Sequence, residues 1–383
     1  MEFSLDEERA AFVDVARNYC RRELAPLVRE AERTQQFPVH VFPEMAKLGF
    51  LGIAVPAEAG GVGLGTLEEC LFIEEIASVA GGFASSWMVQ SCIVPGILAT
   101  LCSDEQKRRY LEPMLRGELL GAFAVTEADA GSDLKAIKTT AVRTADGFIL
   151  NGGKAFITQG TICDFAVVLA YTDKAKGVDG MDIFIVDKNT KGFSREKLPK
   201  NAYRSSETAV LSFDNCLVPL DAVLGDGNGG GMKRIMRNVT RERILVAARS
   251  VGIALGAFEA AKRYATERIQ FGKPIGTFQA VGFRIAEMAT SIEAARLMAR
   301  YAAVLWDKGR PCDKEIAMAK LFASEAAYEV SEKAMRVMGG YGLVDEAFPV
   351  QRFFMDSRVS IATVGSSDIQ KRLIARQVGV PCS

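Results

Sequence analysis

The sequence predicts an α+β protein, mostly α, in three parts. A helical N-terminal domain covers residues 1–120, an antiparallel β-domain 121–228, and a C-terminal four-helix bundle 229–383. Three observations carry this reading. At 383 residues the chain exceeds the ~250–300 at which a single core stops growing. Hydrophobic periodicity changes from helical spacing to alternation near Gly121 and back again after Asp226. The last third holds helical stretches of about 26 to 31 residues, which suit antiparallel packing as a bundle.

In the first domain, Ser4 and Glu7 are spaced as a capping box and Phe3 is placed to staple against the next turn. Phe12, Val13, Ala16 and Tyr19 recur at helical spacing, and the helical stretch ends before Pro38. From Val41 to about Gly117, helical patterns alternate with breakers: Pro56 and the glycines of AGGVGLG, then Glu69 to Ala80, then Ser85 to Leu101. Gly60, Gly61, Gly63 and Gly65 do not follow GxGxxG and lack strand–turn–helix surroundings, so they read as a tight turn between helices. In the second domain the runs FAVVLAY, MDIFIVD and TAVLSFD are rich in β-branched and aromatic residues, with turns expected at Asp146-Gly147, Asn151-Gly152 and Asp179-Gly180. GDGNGGG, from Gly225 to Gly231, lacks the Gly-Lys-Ser/Thr ending of a phosphate loop and reads as a flexible linker. The third domain reads as helices over Val239 to Arg268, Phe278 to Lys308 and Asp313 to Met338, with a shorter one near Asp368 to Gln377.

Composition narrows the function. Lys plus Arg equals Asp plus Glu at 47 each, so nothing points to a nucleic-acid or anionic-membrane partner. No apolar run of about 18 residues is evident, so the 49% hydrophobic share implies buried helices rather than membrane spans. MEFSLDEERA resembles neither a signal nor a transit peptide, which gives a cytoplasmic expectation. Eight cysteines are scattered singly and read as reduced thiols. His40 is the only histidine, which argues against histidine triads and multi-histidine metal sites.

The stretch from Val239 to Gly272 bears candidate chemistry at both ends: Glu242 beside Arg243 at its start, and Arg268, Gln270 and Phe271 at its close. At 1.5 Å per residue, Glu242 and Arg268 lie roughly 39 Å apart, too far for one small-molecule site. Other segments add candidates. GAFAVTEADAGSD offers Phe123, Val125, Thr126 and Ser132, although a Thr and a Ser among glycine and alanine are by themselves more often turn formers. NGGKAFITQG offers Phe156 and Thr158, and a core aromatic is the plain alternative for Phe156. ERIQFGKPIGTFQA adds Gln279, and its arginine suits a diphosphate because planar donors meet two oxygens at once. VMGGYG offers Gly339 and Gly340, whose small size permits close backbone approach. ATVGSSDIQ offers Val364, Ser366 and Asp368.

These motifs together resemble the acyl-CoA dehydrogenase family over nearly the whole chain. The resemblance implies bound FAD held by Phe123, Val125, Thr126, Phe156, Thr158, Ser366 and Asp368. It implies that Arg268, Gln270, Phe271, Gln279, Gly339 and Gly340 reach the flavin of a neighbouring subunit. That resolves the length of the helix and implies a homo-oligomer, a tetramer built as a dimer of dimers. Ser132, Arg243 and Val364 would contact the acyl-CoA or acyl-carrier-protein substrate. The implied reaction removes a proton from the carbon beside the thioester carbonyl and a hydride from the next carbon, with electrons passed to an electron-transfer flavoprotein.

The chain departs from the family's usual pattern at Ala128-Asp129, at Phe156 where Trp is common, at Arg336 where Gln is common, and above all at Val364, where many members carry the base Glu. Valine cannot take a proton. Glu242-Arg243 matches a variant, as in isovaleryl- and long-chain acyl-CoA dehydrogenases, with the base at the start of the long helix; the other reading of Glu242 is a first-turn carboxylate favoured by the helix dipole. Val364 would still offer its backbone N–H to the thioester carbonyl. Alternatives are a redox-neutral elimination or desulfination on the same scaffold, or a non-catalytic acyl-thioester binding module. The base's position gives a preference for short branched or cyclic acyl groups, and Gly81, Gly82, Ala84, Ser85 and Ser86 near Trp87 are candidate pocket residues.

Overall fold

The computed structural model describes residues 5–344 and 349–382. Phe3 and Ser4 lie outside the described residues. The N-cap of α1 (Glu7–Tyr19) is Asp6, whose carboxylate accepts the Arg9 N–H at 2.9 Å.

The centre of the N-terminal domain is α2 (Thr66–Val79), followed by a continuous helical segment, α3 (Gly81–Leu101). Although nearly all of α2 is buried, it carries Glu68, Glu69, Glu74 and Glu75. Each meets an arginine from another helix: Arg9, Arg241, Arg296 and Arg17 respectively. Its first turn is capped across the molecule by Asp307, which accepts from the backbone N–H of Thr66 and Leu67 at 2.9 and 3.0 Å. Trp87 belongs to the core, with Nε1 donating to the Phe50 carbonyl at 2.7 Å. Gly81 and Gly82 leave room for Tyr203 and Ser205 of the middle domain, since an added Cβ would fall 2.6 and 2.4 Å from those side chains.

The middle domain comprises β1 (Gly121–Ala124), β2 (Thr140–Arg143), β3 (Phe148–Thr158), β4 (Phe165–Tyr171), β5 (Met181–Asp187), β6 (Phe193–Lys197), β7 (Thr208–Val218) and β8 (Val223–Leu224). They form one sheet in the order β6-β7-β3-β2-β4-β5-β8, with β1 on β4. The expected antiparallel pattern holds along most of it, but β1 and the end of β2 pair with β4 in parallel. β4 is wholly buried because its two faces serve two cores: Phe165, Val167, Leu169 and Tyr171 join the helical core, while Ala166, Val168 and Ala170 join the other. Asn151-Gly152 is not a turn. It lies inside β3, where Gly152 at φ +140° leaves room for Thr139, 2.6 Å from any added Cβ.

The expected flexible linker is tied down instead: Gly229 N–H donates to Asp182 Oδ1 at 2.9 Å and Gly230 N–H to the Asp179 carbonyl at 2.9 Å. Helix α4 (Gly231–Glu267) therefore begins at the end of this glycine run, eight residues before the expected start. It packs between α5 (Gln279–Asp307) and α6 (Asp313–Met338), with α7 (Val350–Ala362) and α8 (Ser367–Gln377) completing the helical domain. The sequence reading did not foresee α7. Segments Gly81–Leu101 and Gly231–Glu267 are long and apolar enough to cross a membrane, contrary to expectation, but 78% and 83% of an apolar 18-residue window in each is buried inside the fold.

Where α4 crosses α2, Gly252 lets the backbones touch: a Cβ there would sit 2.3 Å from the Glu74 carbonyl oxygen. Helix propensity alone would make Ala better by ~1 kcal/mol, whereas forcing the helices apart costs typically ~1–3 kcal/mol. The contact is with backbone, so overpacking wins. Gly252→Ala should lower the unfolding free energy by about 1–2 kcal/mol, measured by urea denaturation; a more stable variant would show that the crossing relaxes freely.

Candidate functional site

The sequence-named residues fall into two groups at opposite ends of α4. Near its first half, the signature loop after β1 is stitched to β3. Ala155 N–H donates to the Thr126 carbonyl at 2.9 Å, and Lys154 Nζ donates to the Val125 carbonyl at 3.0 Å and to Glu127 Oε1 at 2.8 Å. Glu127 also receives the Thr139 hydroxyl at 2.6 Å and the backbone N–H of Lys138 and Thr139. Burial works against the Glu127 charge, but the hydrogen bonds from Lys154 and Thr139 prevail and hold its carboxyl below the usual range. Burial pushes the Lys154 ammonium down to about 8, with Glu127 opposing.

This buried pair has a consequence for Phe156. The β3–β7 register shifts between Lys154 and Ile157, and Phe156 takes φ +60°. The shift places Ala155 and Ile157 inward and leaves the Phe156 ring 66% exposed, so it is not a core aromatic. Phe123, Thr126 and Thr158 are half-buried, Val125 is buried, and Ser132 is exposed on the loop beyond.

Glu242 lies three turns into α4, too far from the helix start for the first-turn dipole reading to hold. It is 6% exposed, and Oε1 has no hydrogen-bond partner. Burial pushes its carboxyl up to about 7, against the pull of Arg241, Arg243 and Arg249. Arg243 Nε donates to the Val364 carbonyl at 3.3 Å, which ties the turn between α7 and α8 to the helix beside Glu242. Val364 takes φ +55° and Gly365 φ +88°. For a β-branched residue that conformation costs on the order of 1–3 kcal/mol. Gln370 Nε2 helps to hold it, donating to the Gly365 carbonyl at 2.9 Å. Among the described residues, no acceptor meets the Val364 N–H. Ser366 caps α8 by accepting the Ile369 N–H at 3.4 Å, and exposed Asp368 pairs with Lys371 at 3.2 Å.

The second group sits at the far end. Arg268 follows the last turn of α4, and a two-stranded hairpin (Ile269–Gln270 with Lys273–Pro274) carries Phe271 at φ +51° and 93% exposed. Gln279 opens α5 and is exposed. Arg268 lies over the Tyr341 ring, 5.7 Å from its centroid, which brings it to the exposed Gly339-Gly340 turn. An added Cβ at either glycine would meet no described residue within 4 Å. Arg336 pairs with Glu332 on the surface of α6.

Three consecutive stretches match the family descriptions acyl-CoA dehydrogenase N-terminal, middle and C-terminal domain, over residues 6–118, 122–216 and 229–379. The chain belongs to the acyl-CoA dehydrogenase family. It is thus an oxidoreductase of that family, whose cofactor is FAD. Among its relatives is acryloyl-CoA reductase (NADH) of Anaerotignum propionicum, 41% identical over 99% of this chain and 96% of that protein. Butyryl-CoA dehydrogenase from Megasphaera elsdenii superposes with a TM-score of 0.93 at 33% identity, covering 99% of this chain and 100% of that one. A chain in the structure titled for the electron transferring flavoprotein of Acidaminococcus fermentans gives a TM-score of 0.94 at 38% identity, covering 99% of this chain and all of that one.

The residues present fit the acyl-CoA dehydrogenase cofactor. An exposed aromatic held on a pinned bulge offers a face to a planar ring, and the open glycine turn beside Arg268 leaves room for phosphates. Sequence reasoning missed the Glu127–Lys154–Thr139 network that fixes this wall; a lysine between the strand glycines and Phe156 was the one available signal. Lys154→Met removes the partner of a buried carboxylate. It should lower stability by about 3 kcal/mol and reduce the FAD retained on purification, read from the ratio of 450 to 280 nm absorbance. Full retention at wild-type stability would remove this pair from the site.

Proposed function

We propose that this enzyme catalyses α,β-dehydrogenation of an acyl-CoA thioester, with Glu242 as the base. The single observation behind this is a buried carboxylate with a vacant oxygen, beside a strained turn whose N–H is also vacant. The Val364 N–H is assigned to the thioester carbonyl, where hydrogen bonding makes the neighbouring C–H more acidic. Glu242 takes that proton at its unpartnered oxygen. Burial raises its basicity and excludes water, while Arg243 fixes the Val364 turn against the helix. Bound FAD supplies the acceptor for the hydride leaving the β-carbon. Phe123, Val125, Thr126, Phe156, Thr158, Ser366 and Asp368 are assigned to hold it, Ser366 by way of the α8 N-terminus that it caps, and Ser132 and Arg243 are assigned to the substrate.

The family's electron acceptor, an electron-transfer flavoprotein, is the proposed partner, supported by the similarity to a chain in a structure titled for that flavoprotein. Arg268, Gln270, Phe271, Gln279, Gly339 and Gly340 are assigned to the flavin of a neighbouring subunit in a homotetramer. Supporting this, α5 leaves Phe283, Leu297 and Tyr301 exposed on the same helical domain as Phe271. The opposite direction, protonation of an unsaturated thioester, is a second reading. It is favoured by the carboxyl's position near neutrality and by the relative named as a reductase.

Glu242→Gln should keep FAD but slow its reduction by acyl-CoA roughly 10³-fold or more in anaerobic stopped flow; unimpaired reduction would exclude Glu242 as base. Because the base must be ionised, wild-type reduction should rise with pH through about 7 and level off above it. The same shift predicts a stability change. With a folded-state pKa above the unfolded one, the carboxyl costs stability as pH rises from about 4.5 through about 7. Glu242→Gln should therefore be more stable than wild type at pH 8 and equal at pH 4, by thermal unfolding.

Phe271→Asp should break the assembly and release FAD together, shown by sedimentation velocity with absorbance at 450 nm. A monomer that keeps its flavin would exclude the shared site.

A further inference from the structure

Arg249 is a buried charge that the fold leaves unmatched. It follows Glu242 by seven residues, two helical turns, so both project from one face of α4. A long side chain on a helix leans toward the N-terminal end, which here is toward Glu242. Arg249 is 4% exposed, yet its guanidinium makes only two long contacts, Nη1 to Met88 Sδ at 3.6 Å and Nη2 to the Thr363 hydroxyl at 3.4 Å. Its Nε has no acceptor, and its remaining support is Tyr203, whose ring lies 5.1 Å from the guanidinium carbon and whose hydroxyl interacts with the charge.

Among the described residues, no carboxylate pairs with it. The four acids of α2 have their own arginines. Asp356 of α7 accepts the Tyr203 N–H at 2.7 Å and interacts with Glu32, Arg352 and Lys200. Lys320 of α6 adds a second cation outside any salt bridge, donating to the Ile361 carbonyl at 3.4 Å and close enough to feel Arg249, Arg243 and Glu325. Three cations thus surround the 361–364 turn; Glu242 lies among them and Glu325 acts on Lys320, and neither is bonded to Arg249. Interior charge is costly unless paired. An anion that enters this space is therefore bound strongly, and a neutral group leaves the donors stranded.

The position of the excess charge indicates which part of a substrate meets it. Thr363, which Arg249 touches, immediately precedes Val364, whose N–H is assigned to the thioester carbonyl. On that assignment the guanidinium stands at the wall of the acyl site, against the residue that precedes the carbonyl's partner.

We propose that Arg249 sets acyl specificity by binding a carboxylate at the far end of the acyl group, so that the preferred substrate is the CoA monothioester of a short dicarboxylic acid. The planar fork of Arg suits two carboxylate oxygens at once. This deepens the dehydrogenase reading above and rests on it. It replaces the preference for branched or cyclic groups, which had only the base's position behind it.

Glutaryl-CoA and pentanoyl-CoA match in carbon number and differ in ending as carboxylate or methyl. For the holoenzyme, kcat/KM should favour glutaryl-CoA by about 10²-fold. Arg249→Met should shrink the ratio of the two kcat/KM values by a similar factor, and Arg249→Lys should restore part of it. A structural role would slow both substrates alike and leave the ratio unmoved. Calorimetric titration of Glu242→Gln with each thioester reads the same discrimination without turnover. Selective binding by a variant that still reduces its flavin would count against Glu242 and not against Arg249. A wild-type ratio near one, or a ratio unmoved in Arg249→Met, overturns the proposal; if that variant does not fold, the wild-type and Glu242→Gln comparisons decide it.

Discussion

The constraint on which the rest of this structure depends is that charge taken into a helical interior must be answered there. The fold obeys it at α2, where four carboxylates face inward and each finds an arginine from one of three other helices. Those pairs bind α1, α4 and α5 around one element, so their geometry positions the start of α4 against the N-terminal domain. Arg241 serves Glu69 in this way, one residue before Glu242. Adjacent residues on a helix point about 100° apart, so the arginine that completes the structural pair is turned away from the carboxylate beside it. Glu242 is left buried with its Oε1 unbonded, its neighbour being committed to Glu69.

Strain is distributed in the same selective way. Phe156, Phe271 and Val364 all hold left-handed backbone, although none is glycine and one is β-branched. Each such residue costs on the order of 1–3 kcal/mol and persists only where its surroundings over-determine it. The surroundings are identifiable here: the Lys154–Glu127 pair behind Phe156, the hairpin around Phe271, and Arg243 with Gln370 around Val364. In two cases the outcome is an aromatic ring displayed to solvent, and in the third a backbone N–H left free. The energy goes into presenting groups that the isolated chain does not use, which is why these positions are read as a site and not as irregular packing.

Much of this was legible in the sequence because periodicity reports which residues face a core. The change from helical spacing to alternation near Gly121 marks the start of β1, and FAVVLAY and MDIFIVD are β4 and β5. Turn chemistry was less dependable. Asn151-Gly152 reads as a hairpin signal, yet the glycine serves close packing on Thr139 within a long strand. GDGNGGG reads as a flexible linker, yet Asp182 and Asp179 supply the acceptors that tie it to the sheet. Asp182 precedes its partner Gly229 by 47 positions in the chain, and no local pattern encodes a partner so distant. The same holds for Arg249: a lone arginine in ILVAARSVG resembles any snorkelling side chain until the fold shows that, among the described residues, no carboxylate forms a salt bridge with it.

Helix α4 then links these features mechanically. It is a continuous 37-residue rod without proline, and its two chemically loaded ends are separated by roughly 39 Å. Gly252 and Gly256 lie between them, where α2 and Phe353 press directly on the helix. A rod clamped at its middle by backbone contact cannot bend to bring its ends to one small molecule. On the shared-site proposal, the residues beyond Arg268 find their ligand on another body. On that proposal the exposed aromatics at Phe271 and along α5 are the surface through which it docks. The length that makes one chain insufficient for both ends also fixes the spacing that a symmetric assembly of such chains would need.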